Sequence, residues 1–343
     1  MIQMPTLRDI AEKAGVSIAT VSRVLNGDVN FKVADKTRRT ILQIANDLGY
    51  IHRSSETVGI KTVGIVTWFS EKEELQDPYY LSIRFGVEKC AYRNHIRLHR
   101  YFRKQGKFDF SDEQQINGLI AIGKFADEDI NQFNQVTKHT VFIDDSPDDN
   151  QYDSVIVDFE QAVHRSLDYL YELGHSRIGY IGGRDFPENS TPLFQDLKEK
   201  AYISYMRRKG LFQLDDIYIG RYTIDHGYWM ATNMLQKKNL PTALFVSSDI
   251  LVPGVLRALY EHHITVPDDM SIVGFNDYGQ SQYYFPAITS TKVYSEFMGE
   301  EAVKLVMERI ENTRDIAKKI IVPTTMIVRE SCAKPRGEKN GEY

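Results

Sequence analysis

The run Thr6-Leu7-Arg8-Asp9-Ile10-Ala11-Glu12-Lys13-Ala14-Gly15-Val16-Ser17-Ile18-Ala19-Thr20-Val21-Ser22-Arg23-Val24-Leu25-Asn26-Gly27 decides how the N-terminal end of this chain folds. Thr6 has the side chain of an N-cap, and Leu7, Ile10, Ala11 and Ala14 follow it at helical spacing, so a short helix is expected over 7–14. Gly15 stands where helices commonly stop with positive φ. Ser17 caps a second helix with Val21, Val24 and Leu25 on its apolar face, and Asn26-Gly27 ends it. A third amphipathic helix, from about Asp35 to Leu48, is expected to bury Ile41, Leu42, Ile44, Ala45 and Leu48, with Gly49 closing it.

Two short helices across a Gly-Val-Ser turn, braced by a third, make a helix-turn-helix. Its second helix lies in the major groove of DNA with its first residues at base edges. The exposed positions there are Ser17, Ile18, Ala19, Thr20, Ser22 and Arg23. Hydroxyls and Asn26 suit phosphates, which position a module without reading sequence. Arg23 has the fork geometry for a guanine edge, a contact worth ~1–3 kcal/mol of discrimination. Spacing alone leaves open a three-helix bundle that contacts protein instead.

Charge points the same way. Residues 1–61 hold nine Lys/Arg and six Asp/Glu, a surplus of three, while the whole chain is at −5, so the remainder carries −8. A small basic module on an acidic body suits nucleic-acid binding confined to one end. At 343 residues, 42% hydrophobic and 26% charged, the chain reads as globular with two or three domains. No apolar run approaches the roughly 18 residues of a membrane span. Met1-Ile2-Gln3-Met4-Pro5 lacks the basic-then-apolar pattern of a secretory signal. Cys90 and Cys332 have no metal or redox spacing, and a reduced cytoplasmic location is expected.

Beyond a polar linker at 51–61 the period changes. Val63–Val66, Ile116–Ile122 and His139–Asp144 are strand-like, with a helix near 79–93 between the first two. After a helix at about 159–173 a second series begins, with strand-like runs at Arg177–Gly183, Ala243–Val246 and Ser271–Phe275. Strands alternating with crossover helices predict parallel sheets, and two series predict two lobes. Ligands in such folds bind outside the carboxyl ends of the strands, so a cleft between lobes is the expected pocket.

The run Thr6–Gly27, with Thr37-Arg38 and Leu48-Gly49-Tyr50, resembles the signature of LacI/GalR transcriptional repressors over the whole head. The resemblance implies that Ile18 and Ala19 select the operator, Arg23 reads a base, and Thr20, Ser22, Asn26 and Thr37 hold phosphates. Thr6, Arg8, Ser17 and Tyr50 complete the expected DNA-binding set. The body resembles the periplasmic sugar-binding fold at Asp77-Pro78-Tyr79-Tyr80, Phe142-Ile143-Asp144, Gly174–Gly183, Ala243–Asp249 and Val266–Asp277. The fold class implied is an N-terminal all-α helix-turn-helix head plus an α/β two-lobed periplasmic-binding-protein-like sensor domain. The expected boundaries are 1–50 for the head, 51–61 for the linker, 62–330 for the sensor and 331–343 for an unstructured tail. Glu71–Leu75 before Asp77–Leu81 looks most like repressors of galactose and β-galactosidase operons.

By family position Asp144, Lys198, Ser248 and Asn276 point into the cleft, with Tyr79 and Tyr222 as ring platforms. Lys198 stands where arginine is usual, Ser248 where asparagine is, Asn276 where aspartate is, and Val293 where a polar group is. A plain cap at Asp144 and a core role for Tyr222 stay open. The linker lacks the family's Asn-Pro start and Ala-Arg-x-Leu run, which leaves both a small minor-groove wedge at Val58 or Ile60 and a flexible tether open.

What is expected is a homodimer, with a tetramer left open, that holds a pseudo-palindromic operator and is controlled by a small sugar, galactose or a β-galactoside. Its dimer face is placed on the helix beginning near Tyr79 and the helix near Val252–Leu256. No catalytic residue, cofactor, metal or membrane partner is expected. Gly182-Gly183 lacks the three-glycine dinucleotide spacing, and no P-loop, Gly-x-Ser-x-Gly or His-Glu-x-x-His occurs. His262-His263 is assigned to an exposed helix end and His175 to a solvated helix-stop turn. The rival functions are a transport-type binding protein and a catabolite-type regulator controlled by a partner protein.

Overall fold

The computed structural model describes residues 6–25, 31, 33–48, 61–74, 77–104, 107–111, 115–184, 196–311 and 314–336. The chain divides into two compact units, Met1–Lys61 and Thr62–Tyr343.

The first unit contains α1 (Leu7–Ala14), α2 (Ile18–Leu25) and α3 (Asp35–Asp47). Thr6 caps α1 through a capping box with Asp9, and Gly15 ends it at φ 65°, a conformation that glycine adopts without a side-chain penalty. Ser17 accepts the Thr20 amide proton at 3.1 Å and so caps α2. Ile10, Ala11, Val21, Val24, Ile41 and Ala45 form one small core. Leu42, expected inside, is 48% exposed. It lies one helical step, about 100°, from Ile41, and the narrow face of α3 that meets α1 and α2 takes Ile41 and Ala45 instead.

The second unit has two lobes. Lobe 1 contains β1 (Thr62–Thr67), α4 (Glu71–Glu74), α5 (Pro78–Arg93), β2 (Arg97–Tyr101), the small hairpin β3 (Arg103–Lys104) and β4 (Lys107–Phe108), β5 (Gly118–Ile122), α6 (Asp127–Val136), β6 (Thr140–Ile143) and β7 (Asp153–Val157). Lobe 2 contains α7 (Phe159–Glu172), β8 (Ile178–Gly183), α8 (Leu197–Arg208), β9 (Ile217–Gly220), α9 (Ile224–Leu235), β10 (Ala243–Val246), α10 (Val252–Glu261), β11 (Ser271–Asn276) and β12 (Thr289–Val293). The chain then returns to lobe 1 for α11 (Ser295–Ile310) and β13 (Lys319–Val322), and crosses a third time into β14 (Thr324–Ile327).

Lobe 1 orders its strands β13-β7-β6-β5-β1-β2, all parallel. Lobe 2 repeats the order as β14-β12-β11-β10-β8-β9, with only β14 antiparallel. Helices cover both faces of each sheet, which is why β1, β5, β6, β8, β10 and β11 are buried along their whole length and read as continuous apolar runs. Each sheet reverses its order beside its first strand, so each lobe offers a switch point at the carboxyl ends of its strands.

The sensor extends beyond 330. Ser331 accepts from the Ile272 amide at 2.8 Å, and the Ala333 amide donates to Ser271 Oγ at 3.0 Å. Arg336 pairs with Asp268 and Asp269. The expected tail is thus partly built in, because hydrogen bonds to β11 hold residues 331–333 and ion pairs to the turn before it hold Arg336; residues 337–343 lie outside the described ones. His175 corrects another expectation. It is 1% exposed, and its ring contacts Thr242 Oγ1 at 2.9 Å, Ser271 Oγ at 3.1 Å and the Ala333 carbonyl at 2.9 Å. The same C-terminal segment closes over the ring, and burial lowers its pKa.

Candidate functional site

In the first unit α2 turns Val21 and Val24 inward, which leaves Ser17, Ile18, Ala19 and Arg23 exposed, with Thr20 and Ser22 half-buried. The Ser17 and Thr20 hydroxyls lie 2.9 Å apart. Arg23 carries its guanidinium 5.2 Å from the ring of Phe31, and Arg38 donates to the Phe31 carbonyl at 3.4 Å. Phe31, which the sequence pattern does not single out, therefore steers two arginines at this surface. Thr6 serves its own helix, with its hydroxyl donating to Asp9 at 2.8 Å. Arg8 makes a surface ion pair with Glu12 at 3.3 Å, and Thr37 is half-buried on α3. Asn26, Tyr50 and linker residues 51–60 lie outside the described residues.

In the second unit the polar side chains converge at the carboxyl ends of the strands. Trp68 follows β1, Lys124 follows β5, Asp144 follows β6, Ser248 follows β10 and Asn276 ends β11. Together with Asp77, Tyr79, Tyr80, Phe159, Asp196, Lys198 and Tyr222 they line one cleft, a space of about 530 Å³ when its open mouth is included.

Lobe 1 supplies a clamped carboxylate. Asp77 caps α5 by accepting the Tyr79 amide proton at 2.9 Å, which fixes the first turn of the helix over the cleft. From that turn the Tyr79 hydroxyl donates to Asp144 Oδ1 at 2.9 Å and the Tyr80 hydroxyl to Oδ2 at 3.0 Å. Asp144 is held at φ 69°. Burial pushes its carboxyl above the ordinary range, against the opposing pull of Lys124, the tyrosine hydroxyls and Lys198. Burial likewise raises Asp77 to about 6. The buried indole N–H of Trp68 has no hydrogen-bond partner among the described residues.

Lobe 2 supplies the facing wall. Asp196 caps α8 and accepts the Tyr222 hydroxyl proton at 2.6 Å. Burial acts to raise this carboxyl, but the charge of Lys198 and the Tyr222 hydroxyl outweigh it, and the group is held below its ordinary value. The Lys198 ammonium sits 5.1 Å from the ring of Tyr222 and 5.5 Å from those of Phe159 and Phe275. A Cβ on Gly183 would stand 2.7 Å from the Tyr222 ring, so glycine is what lets that ring lie against the end of β8. Asn276 donates to the Tyr278 hydroxyl at 2.7 Å and to Ser248 at 3.3 Å.

All six expected ligand residues thus line one cleft. Asp144 is no plain helix cap, and Tyr222 offers Lys198 the ring face that was expected to carry a sugar. Asp77, Lys124, Asp196, Trp68, Phe159 and Tyr278 were missed. Trp68, Lys124 and Phe159 each come within two residues of the end of a lobe 1 strand, a signal that strand boundaries alone would have supplied. Val293 is buried and lines a neighbouring groove instead of the cleft. Among the described residues, no group of three or more His, Cys, Asp or Glu could hold a metal, and no helix is long and apolar enough to cross a membrane.

Residues 6–52 match the model of bacterial regulatory proteins of the lacI family, and residues 167–332 match that of the periplasmic binding protein-like domain. The chain is 36% identical over 332 residues to the HTH-type transcriptional regulator GalR of Streptococcus thermophilus, covering 96% of this chain and 99% of that protein. It is 35% identical over 339 residues to the HTH-type transcriptional repressor MelR of Bacillus subtilis (strain 168), covering 96% and 98%. Its fold is similar to that of the Lac repressor dimer bound to operator and the anti-inducer ONPF, with a TM-score of 0.68 at 22% identity over 96% of this chain and all of that one.

Proposed function

The chain belongs to the LacI family of bacterial regulatory proteins, and from that premise we propose that it is a transcriptional repressor released from operator DNA by a galactoside bound between its lobes. The observation that carries the reading is the clamp of Tyr79 and Tyr80 on Asp144, set across the cleft from Asp196 and Lys198. A sugar hydroxyl can donate to Asp144 in place of one tyrosine, and a ligand that also reaches Asp196 or Lys198 then links the end of β6 to lobe 2. The resemblance of Glu71–Leu75 and Asp77–Leu81 to repressors of galactose and β-galactosidase operons supports a galactose-containing effector. In this reading Arg23 reads a base and the exposed hydroxyls of α2 hold phosphates.

The protein works as a homodimer in the cytoplasm, as a binding protein and not an enzyme. The apolar side chains left outside the sensor support a second copy: Phe85 and Tyr92 on α5, Tyr228 and Trp229 on α9, and Tyr260 on α10 are all exposed. On α10 it is Tyr260 that faces outward, because Val252 and Val255 are in the core and Leu256 packs against it.

The test is a gel shift on the DNA upstream of the protein's own gene against a panel of galactosides. Release by one of them is expected. Tightened binding would reverse the sign of control, and indifference to every sugar would favour control by a partner protein.

A further inference from the structure

Behind the lobe 2 wall of the cleft lies a buried carboxylate that does not itself line it. Asp249 comes three residues after β10 and is 1% exposed. Its Oδ1 accepts the Phe275 amide proton at 2.8 Å, and its Oδ2 accepts the Tyr278 amide proton at 3.3 Å and the Ser281 hydroxyl at 2.8 Å. The Ser290 hydroxyl reaches both oxygens, at 3.0 and 2.9 Å, and itself accepts the Asp277 amide proton at 3.2 Å. A Cβ on Gly274 would stand 2.0 Å from Oδ1, so β11 keeps a glycine where the carboxylate needs room. Burial pushes this carboxyl up to about 6; at pH 7.5 it is ionised, and both oxygens act as acceptors.

These donors flank a strained turn. Asn276 and Asp277 have φ of 97° and 53°, two consecutive residues in the left-handed region that penalises a Cβ. Such strain persists only where the surroundings fix it. Asp249 holds the amides on either side of the pair directly, and the Asp277 amide through Ser290. Asp277 turns its own carboxylate onto Arg329 at 2.7 Å. Asn276 lines the cleft with its side-chain N–H groups engaged by Ser248 and the Tyr278 hydroxyl. Its side-chain oxygen has no hydrogen bond among the described residues, which makes it the acceptor that this turn offers a ligand hydroxyl.

We propose that Asp249 is a positioning residue for the effector: its carboxylate fixes the left-handed turn at Asn276-Asp277 and so aims Asn276 into the cleft. This assignment rests on the reading of the cleft as the effector site. The acid is needed because the Phe275 and Tyr278 amides approach opposite oxygens. An asparagine at 249 has one oxygen and one NH2, so it accepts from one amide and meets the other with a donor. An unpaired buried amide then favours opening of the turn, and the Asn276 contact with the ligand is lost with it.

The experiment joins hydrogen–deuterium exchange of the ligand-free full chain at pH 7.5 to calorimetric titration with D-galactose, methyl β-D-galactopyranoside and melibiose. In Asp249→Asn, exchange over 275–281 should quicken about tenfold while that over 77–81 keeps its rate, and the sugar that the wild type binds should weaken about tenfold. Asn276→Ala should then cost nothing further in the Asp249→Asn background, whereas Tyr79→Phe, on lobe 1, should cost the same factor in both backgrounds. A general loss of stability would make neither distinction. Ser290→Ala leaves the carboxylate in place and removes its link to the Asp277 amide, so it should give a weaker form of the same pattern and carries the test if Asp249→Asn does not fold. Unchanged exchange over 275–281, equal quickening in both segments, or full additivity with Asn276→Ala would overturn the assignment and leave the cleft reading intact. A wild type that binds none of the three sugars would overturn the galactoside reading, and the exchange rates alone would then decide the role of Asp249.

Discussion

Asp77 is a helix cap that burial has made titratable near neutrality. Its carboxyl is raised from an ordinary 3.8 to about 6. The folded state therefore binds this proton more tightly than the unfolded chain, so the contribution is present below about pH 4 and is lost as pH rises through about 6. Asp77→Asn keeps an oxygen for the Tyr79 amide and removes the ionisation. Melting of the full chain from pH 4.5 to 7.5 should show the variant gaining on the wild type as pH rises, and a constant difference would reject the assignment. At the other end of the chain, Arg23→Ala should cost ~1–3 kcal/mol of discrimination between operator and random duplex, since a bidentate guanine contact is lost. Competition binding checks this, and sugar affinity should not change.

At the scale of elements, α5 and α11 cross almost backbone to backbone. A Cβ on Gly86 would stand 2.0 Å from the Glu296 carbonyl oxygen, and one on Gly299 2.1 Å from that of Ile83. The contact is reciprocal, and the atoms met are main chain, which cannot rotate aside. Gly86→Ala must push the helices apart around Ile83, Val87, Met298 and Ala302, all buried. The expected loss is on the order of 3 kcal/mol, the upper end for overpacking, measured by denaturant unfolding. Gly279→Ala, which meets nothing within 4 Å, is the matched control. Neither glycine has a sequence signature, because both sit inside regular helix and their reason lies on another helix. Leu42 fails for the converse reason: apolar spacing predicts a face, but the width of that face is set by how much surface α1 and α2 present.

At the scale of the molecule, three crossings join the lobes, at 157–159, 293–295 and 322–324. Both sheets converge their strand ends on one cleft, so a ligand that touches Asp144 and Asp196 draws free energy from both lobes. If coupling to the operator lies in the usual range of ~1–3 kcal/mol, the effective galactoside in the gel shift lowers operator affinity about 5- to 150-fold. The repeated strand order was legible only as two series of apolar runs. β2, β9, β13 and β14 went unseen as edge strands, half exposed and short of the continuous hydrophobicity of the central ones, and the interior β7 and β12 went unseen because Asp153-Ser154 and Thr289-Ser290-Thr291 break their apolar runs with buried polar residues.

Local chemistry in the chain determined the capped helices of the head, the parallel strands of the two lobes and the strand-end positions of Asp144, Ser248 and Asn276, since capping, periodicity and buried runs act between near neighbours. Tertiary structure alone decided that two tyrosines on one helix would hold Asp144, that Lys198 would turn its charge onto three rings, and that the C-terminal segment would bury His175. Those contacts join residues far apart in sequence, and no short-range preference encodes which distant partner a side chain will meet.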